Sequence, residues 1–314
     1  MKVVLDYDAG PWLAARLKAL AGDGLDVQVC AEGDDARLTA LMKDTDVRWH
    51  VLRPVTAAAI DGAPNLKLIQ KIGVGVNTID LARAEARGIR VCNMPGTNSR
   101  AVAEMTLALM LAALRRLPHF DKETRRGRGW PLDPRRQDDM GEIAGRTIGL
   151  IGFGAVPGIL APVLAALGAT VIYTSRVPRA DVAFPWRPLA DLLAESDIVS
   201  LHVPLTAETE RMIDAAAISR MKPGAVLVNT ARGGLVDEAA LIAALSGGHL
   251  RAAGLDVFAE EPVGVDHPLL RLENVAVAPH LAWLTRETLE RSLTVAVENC
   301  RRLNAGEDLL HRVV

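Results

Sequence analysis

The chain has 314 residues, 50% of them hydrophobic and 24% charged, with a formal net charge of -2 at pH 7. That length exceeds what one hydrophobic core serves, so two domains are expected, and the composition excludes extensive disorder. Near-neutral charge without long basic runs excludes a nucleic-acid footprint.

The opening MKVVLDYD places Asp6 and Asp8 where a signal peptide carries its apolar core, and reads as a strand. The charge-free stretch from Met105 to Leu114 is far short of the roughly 20 residues a membrane span needs. A cytoplasmic chain without a membrane partner is expected. After VVLDY, the runs VQVC, VRWHVL, LKLIQKIG and IRVCNM read as further strands, separated by Ala/Leu-rich helical segments. Pro95-Gly96 marks a turn, and Thr97, Asn98 and Ser99 can cap the helix that follows. From Ala101 to Leu114 that helix is apolar on nearly every face, with Glu104 its sole charge, which calls for burial on all sides. A symmetric homodimer through the 101–117 region supplies it. Pro118 to Gly141 reads as an irregular arm whose Arg125, Arg126, Arg128, Arg135 and Arg136 form a solvated face. Then TIGLIG, TVIYTS, IVSLHV, AVLVNT, AGLDVF and VAVAPH give a second set of strands, and the chain turns helical again from Thr285. This alternation predicts an α/β protein of two doubly wound parallel sheets.

Cys30, Cys92 and Cys300 lie far apart, with neither CxxC pairs nor zinc spacing, so no metal site and a reducing compartment are expected. TIGLIGFGAVPG sets Gly152 and Gly154 directly after a strand, where the backbone can turn sharply and bring Ala155 and Val156 to a pyrophosphate at a helix N-terminus. The usual third glycine is replaced by Pro157, which a helix's first turn tolerates, although the close helix-to-strand packing a glycine permits is then in question. At the end of the next strand an acidic residue normally holds the ribose of NAD. Here Ser175, Arg176 and Arg179 can hydrogen-bond and neutralise a 2'-phosphate, so NADP is preferred over NAD. The alternative is surface arginines with NAD held by other contacts.

Strand ends are where ligands sit in open α/β sheets, and there the chain presents His202, Arg232, Asp256 and His280, with Glu261 on the loop after a strand. Reduction of a 2-oxo acid needs a cation for the carboxylate and carbonyl and a proton donor for the developing alkoxide. Arg232 and His280 suit those roles, and Glu261 can orient and stabilise the imidazolium. His202 reads as a packing or cofactor-adjacent residue, with Pro204, Thr230 and Ala231 beside it as further cofactor-side candidates. Singly, each of these residues has a plain structural reading; the ordered set does not.

The segments KIGVGVNTID, NMPGTNSRAVAE, GFGAVPG, LHVPLT, NTARGGLVDE, LDVFAEEP and APHLAW, in this order over most of the chain, resemble the D-2-isomer-specific 2-hydroxyacid dehydrogenases. The resemblance implies Arg232 as substrate-binding arginine, His280 as acid/base and Glu261 as its partner. It further implies backbone N–H donors at Val74 and Gly75 for the substrate carboxylate, and Asp256 at the nicotinamide carboxamide. It implies a flavodoxin-like substrate domain, 1–97 with 285–314, and a Rossmann nucleotide-binding domain, 98–284, whose first helix is buried in a dimer. Pro157 and Ser175 depart from the pattern.

Small substrates such as glyoxylate or hydroxypyruvate are favoured over 3-phosphohydroxypyruvate. No phosphate cradle is visible, Trp283 can wall the pocket, and a regulatory domain of the kind many, though not all, phosphoglycerate dehydrogenases append is not expected after Val314. Trp283 could equally be plain packing. Within enzymes, Glu261 argues against a formate dehydrogenase, which carries an amide partner at that place. From another class, a dinucleotide-sensing corepressor shares this shape, and turnover of a 2-oxo acid separates the two.

Overall fold

The computed structural model describes residues 1–130, 134 and 139–314, which divide into two compact units, Met1–Asn98 with Thr285–Val314, and Ser99–Leu284.

The first unit is built on β1 (Lys2–Leu5), β2 (Asp26–Val29), β3 (Val47–His50), β4 (Leu68–Lys71) and β5 (Arg90–Cys92), all parallel in the order β2-β1-β3-β4-β5. Every residue of β3 and β4 is buried, as a sheet covered by helices on both faces requires. This is the flavodoxin-like order, with its switch point between β1 and β3. There the buried Asp6 accepts hydrogen bonds from Arg48 Nε at 2.7 Å and from the Val51 N–H at 3.2 Å. Burial pushes the Asp6 carboxyl up, but hydrogen bonding and charge from His50 and Arg48 outweigh it and hold the group below the usual carboxylate range. The C-terminal helix Arg286–Ala305 belongs to this unit, where buried Asn299 donates to Gln70 Oε1 at 2.6 Å.

The second unit carries β6 (Thr147–Ile151), β7 (Thr170–Thr174), β8 (Ile198–Leu201), β9 (Ala225–Asn229), β10 (Leu250–Leu255) and β11 (Val275–Val277), parallel throughout in the order β11-β10-β9-β8-β6-β7. One face buries Ile151, Leu201, Leu227 and Leu255; the other packs Leu150, Val226 and Val228 against Leu109, Met110 and Leu160. The chain leaves β6 for β7 on one side and returns to β8 on the other, so the switch point lies between β6 and β8, where ligands bind in such sheets. The α/β architecture of two parallel sheets is as the alternation predicts.

One local expectation, the irregular arm, needs correction. Within one chain the helix Ser99–Leu114 leaves Glu104, Ala108 and Leu111 as an exposed stripe at i, i+4 and i+7. It also stops at Leu114, with Arg116 in the left-handed region (φ 47°). The arm is not irregular from Pro118: Leu117–Arg125 is a second helix, because a proline in the first turn loses no hydrogen bond. Its Arg125 pairs with Asp121, and Arg126 and Arg128 with Glu123, on an exposed surface. Arg135 and Arg136 lie outside the described residues.

Candidate active site

The nucleotide-side loop follows from two glycines. Gly152 has φ 93°, and a Cβ added to it would stand 2.6 Å from the His202 carbonyl oxygen, so only glycine lets the end of β6 turn this close to β8. Gly154 then caps the helix Ala155–Ala166, whose first backbone bond runs from the Gly158 N–H to the Gly154 carbonyl at 3.0 Å. Pro157 is the third residue of that helix and is buried. Its missing N–H would have had no partner in the helix anyway, so the helix forms. The cost falls on any anion at this N-terminus, which meets the donors of Ala155 and Val156 but none from residue 157.

At the end of β7 the three expected 2'-phosphate ligands separate. Ser175 Oγ donates to the Val177 carbonyl at 2.6 Å, and Arg176 is exposed. Arg179 is committed within the chain: Nε donates to Asp181 Oδ1 at 3.0 Å and Nη1 to the Phe153 carbonyl. Asp181, which the sequence reading did not single out, therefore satisfies one of the two arginines proposed for the phosphate. His202 follows β8 with Nε2 3.0 Å from Ser200 Oγ, in desolvated surroundings that lower its imidazole to about 3. It stays neutral and is no acid at physiological pH. Pro204 accepts from Thr209 Oγ1 at 2.7 Å, and Thr230 Oγ1 meets Thr106 Oγ1 at 2.8 Å.

The catalytic candidates come together at the ends of β9, β10 and β11. Asn229, the last residue of β9, shapes the turn carrying Arg232, with its amide donating to the Arg232 carbonyl at 2.8 Å and its Oδ1 accepting the Ala231 N–H at 3.0 Å. Gly233 lies so near the next loop that an added Cβ would sit 1.9 Å from the Phe258 carbonyl carbon. A larger residue would push the Arg232 turn off the loop that carries Glu261. Burial lowers the Arg232 guanidinium, opposed by the charge of Glu261. Glu261 accepts the Phe258 N–H through Oε1 at 2.9 Å and faces His280 Nδ1 through Oε2 at 2.6 Å. Burial pushes its carboxyl up, but His280, the Phe258 N–H and Arg232 together hold it below the usual range, so it is ionised at neutral pH.

His280 sits in the left-handed region (φ 56°), with its N–H donating to the Asp256 carbonyl at 2.7 Å. The Asp256 carboxylate is completely buried, and its two oxygens accept the Leu281 N–H at 2.8 Å and the Ala282 N–H at 2.9 Å. Burial raises its carboxyl, against those hydrogen bonds. Through these two bonds Asp256 braces the turn that presents His280. Trp283 follows, with 7% of its surface exposed. In the other unit, Val74 is 44% exposed, and its loop is held by Asn93 Nδ2 donating to the Val74 carbonyl at 2.9 Å and by the Met94 N–H donating to the Gly73 carbonyl. Gly75 is half-buried beside it. Asn229, Ser200 and Asp181 were missed in the sequence; only Asn229, a strand-end Asx before a turn, carried a local signal.

Residues 107–282 match the family described as D-isomer specific 2-hydroxyacid dehydrogenase, NAD binding domain. The chain belongs to the D-isomer specific 2-hydroxyacid dehydrogenase family. Among its relatives, it is 41% identical over 301 residues to D-3-phosphoglycerate dehydrogenase of Mycobacterium tuberculosis, covering 94% of this chain and 56% of that protein. The chain thus spans little more than half the length of such relatives. It is 39% identical over 272 residues to glyoxylate reductase of Korarchaeum cryptofilum, covering 85% and 82% of the two chains. An NADPH-dependent glyoxylate/hydroxypyruvate reductase from Sinorhizobium meliloti, solved with NADP and malonate, superimposes with a TM-score of 0.85 at 32% identity over 100% and 96% of the chains. Among the described residues, no helix is long and apolar enough to cross a membrane.

Proposed function

We propose that this 2-hydroxyacid dehydrogenase family member reduces a small 2-oxo acid, glyoxylate or hydroxypyruvate, with NADPH preferred and NADH as the lesser cofactor. The observation that carries the reading is the 2.6 Å pairing of His280 Nδ1 with Glu261, on a loop that also neighbours Arg232. Bound nicotinamide supplies the hydride. Arg232 binds the carboxylate and polarises the carbonyl. With Nδ1 turned to Glu261, Nε2 is the atom from which His280 gives its proton to the developing alkoxide. Backbone N–H groups of Val74 and Gly75 add donors for the carboxylate, Asp256 holds the His280 turn in place, and Trp283 limits the pocket.

The residues present fit a dinucleotide: the sharp Gly152 turn leaves room a side chain would fill, and Ala155 and Val156 offer N–H groups at a helix N-terminus. His202, Pro204, Thr230 and Ala231 stand on the same strand ends. Ser175 and exposed Arg176 favour the 2'-phosphate, with Arg179 in a supporting place beside Asp181. A homodimer through the exposed stripe of Ser99–Leu114, continued by Leu117 at 60% exposure, would cover Ala108 and Leu111. Three buried, unbonded cysteines accord with the reducing cytoplasm.

A second reading, 3-phosphoglycerate dehydrogenase, is favoured by the 41% identity to the mycobacterial enzyme. Steady-state turnover of a 2-oxo acid panel decides between them, and no turnover of any member returns the chain to the class of dinucleotide-sensing binding proteins.

A further inference from the structure

A second charged cluster lies at the opposite edge of the nucleotide-side sheet, where β6 and β10 begin. Arg146 immediately precedes β6, Arg251 is the second residue of β10, and Arg116 follows the helix Ser99–Leu114. The guanidinium groups of Arg146 and Arg251 meet around Gly141, and the charge of Arg116 acts on Arg251. A Cβ on that glycine would lie 2.5 Å from Arg146 Nη2 and 3.3 Å from Arg251 Nη2. Like charges are seldom gathered this closely without a counter-charge. Among the described residues the nearby carboxylates do not provide enough. Asp139 pairs with Arg116 at 3.2 Å, while Asp197 is already held by Lys222 at 3.0 Å and by the Thr147 N–H at 2.8 Å.

The donors left over have a telling pattern. Arg251 Nε and Nη2 and Arg116 Nε are shielded from solvent and have no hydrogen-bond partner among the described residues. Nε and Nη2 form one edge of the guanidinium fork, the edge that grips two oxygens of a single oxyanion. Leaving such donors buried and unpaired is costly, and a bound anion removes that cost. Burial and the charges of Arg146 and Arg116 also lower the Arg251 guanidinium, and the opposing charges of Asp139 and Asp197 do not fully offset them.

We propose that Arg116, Arg146 and Arg251 form a binding site for a tetrahedral dianion of the phosphate class, either free phosphate or a phosphomonoester. It is separate from Arg232 and His280, which stand at the carboxyl ends of the strands. The Ser99–Leu114 helix connects the two edges, since Arg116 follows its end and Thr106 on it bonds Thr230 beside Arg232. The site is therefore placed to act as an effector site.

The test is calorimetric titration of the full chain with inorganic phosphate, and in a second arm with glycerol 3-phosphate. Both are run at constant ionic strength against chloride, with and without saturating NADPH to fill any phosphate site in the glycine loop. Saturable binding that persists with NADPH is expected, weakened about tenfold or more by Arg251→Met, as the loss of charge-assisted bonds implies. Arg146→Met is the second variant, and the melting curve of each shows that it is folded. Tighter binding of one arm identifies the source of the dianion. No saturable binding beyond chloride overturns the proposal. So does binding that both folded variants leave unchanged, and so does a change in subunit association in Arg251→Met without any phosphate response, which would make the cluster a subunit contact.

Discussion

His280 Nδ1 and Glu261 Oε2 stand 2.6 Å apart, with Glu261 held ionised by His280, the Phe258 N–H and Arg232. Because the folded value of Glu261 is depressed, its pairing is intact at neutral pH and is lost only as pH falls through that depressed value. In the proposed mechanism His280 carries the proton that reduction consumes. Reduction should fade as pH rises and oxidation should gain. Glu261→Gln removes the negative charge beside the ring, so the alkaline limb of the kcat/KM profile for reduction should move to lower pH. An unmoved limb, with chemistry shown to be rate-limiting by a deuteride isotope effect, would remove Glu261 from the proton step.

Asp256 is expected to act on position rather than on protons. Asp256→Asn retains one acceptor oxygen but cannot accept from both Leu281 and Ala282, so the left-handed His280 turn loosens. The fall should lie mainly in kcat, by about 10- to 100-fold, with the pH limb in its wild-type place. A fall confined to KM for the cofactor would instead put Asp256 at the nicotinamide.

In the proposed reading, the preference for NADPH rests on Arg176, the exposed arginine, more than on Arg179, which is paired with Asp181. Arg176→Ala should raise KM for NADPH about tenfold or more and leave NADH nearly unchanged, as only the former carries the 2'-phosphate. Pro157→Gly restores a backbone donor at the helix N-terminus and should tighten both cofactors alike. Equal kcat/KM for NADPH and NADH in the wild type would contradict the preference.

Much of this was legible in the chain. The parallel architecture showed because runs such as AVLV, at 225–228, are apolar throughout, as strands buried on both faces must be. The start of β10 was hidden: Arg251 interrupts the apolar run, so the strand was expected from Ala253 rather than Leu250. The helix Leu117–Arg125 was obscured by Pro118, a breaker in a helix interior but harmless in its first turn. Residue types and order singled out Arg232, Glu261 and His280 as candidates. They could not reveal that both oxygens of Asp256 bind backbone, or that Asp181 takes up Arg179, because such pairings depend on how loops from different strands meet.

Stability should respond to acid through the first unit. Burial lowers the His50 imidazole from 6.5 to about 4. The unfolded chain therefore takes up a proton between those values that the folded chain refuses, and stability declines as pH drops across that window. His50→Gln should flatten the decline in urea midpoints between pH 6.5 and 4.5. A separate effect belongs to Asp6, whose folded value is depressed: Asp6→Asn at pH 7 leaves the buried Arg48 without its counter-charge and should cost about 3–5 kcal/mol. A variant as stable as the wild type would show that the pair is dispensable.

The most direct measurement is kcat/KM with NADPH for glyoxylate, hydroxypyruvate, pyruvate, phenylpyruvate and 3-phosphohydroxypyruvate, in wild type, His280→Ala, Arg232→Ala and Trp283→Ala. The account predicts that glyoxylate and hydroxypyruvate lead in the wild type. It predicts losses of about 10²- to 10⁴-fold for His280→Ala and Arg232→Ala, and a gain for the larger acids in Trp283→Ala. A wild-type preference for the phosphorylated acid, or folded His280→Ala and Arg232→Ala proteins that reduce glyoxylate as fast as the wild type, would contradict it.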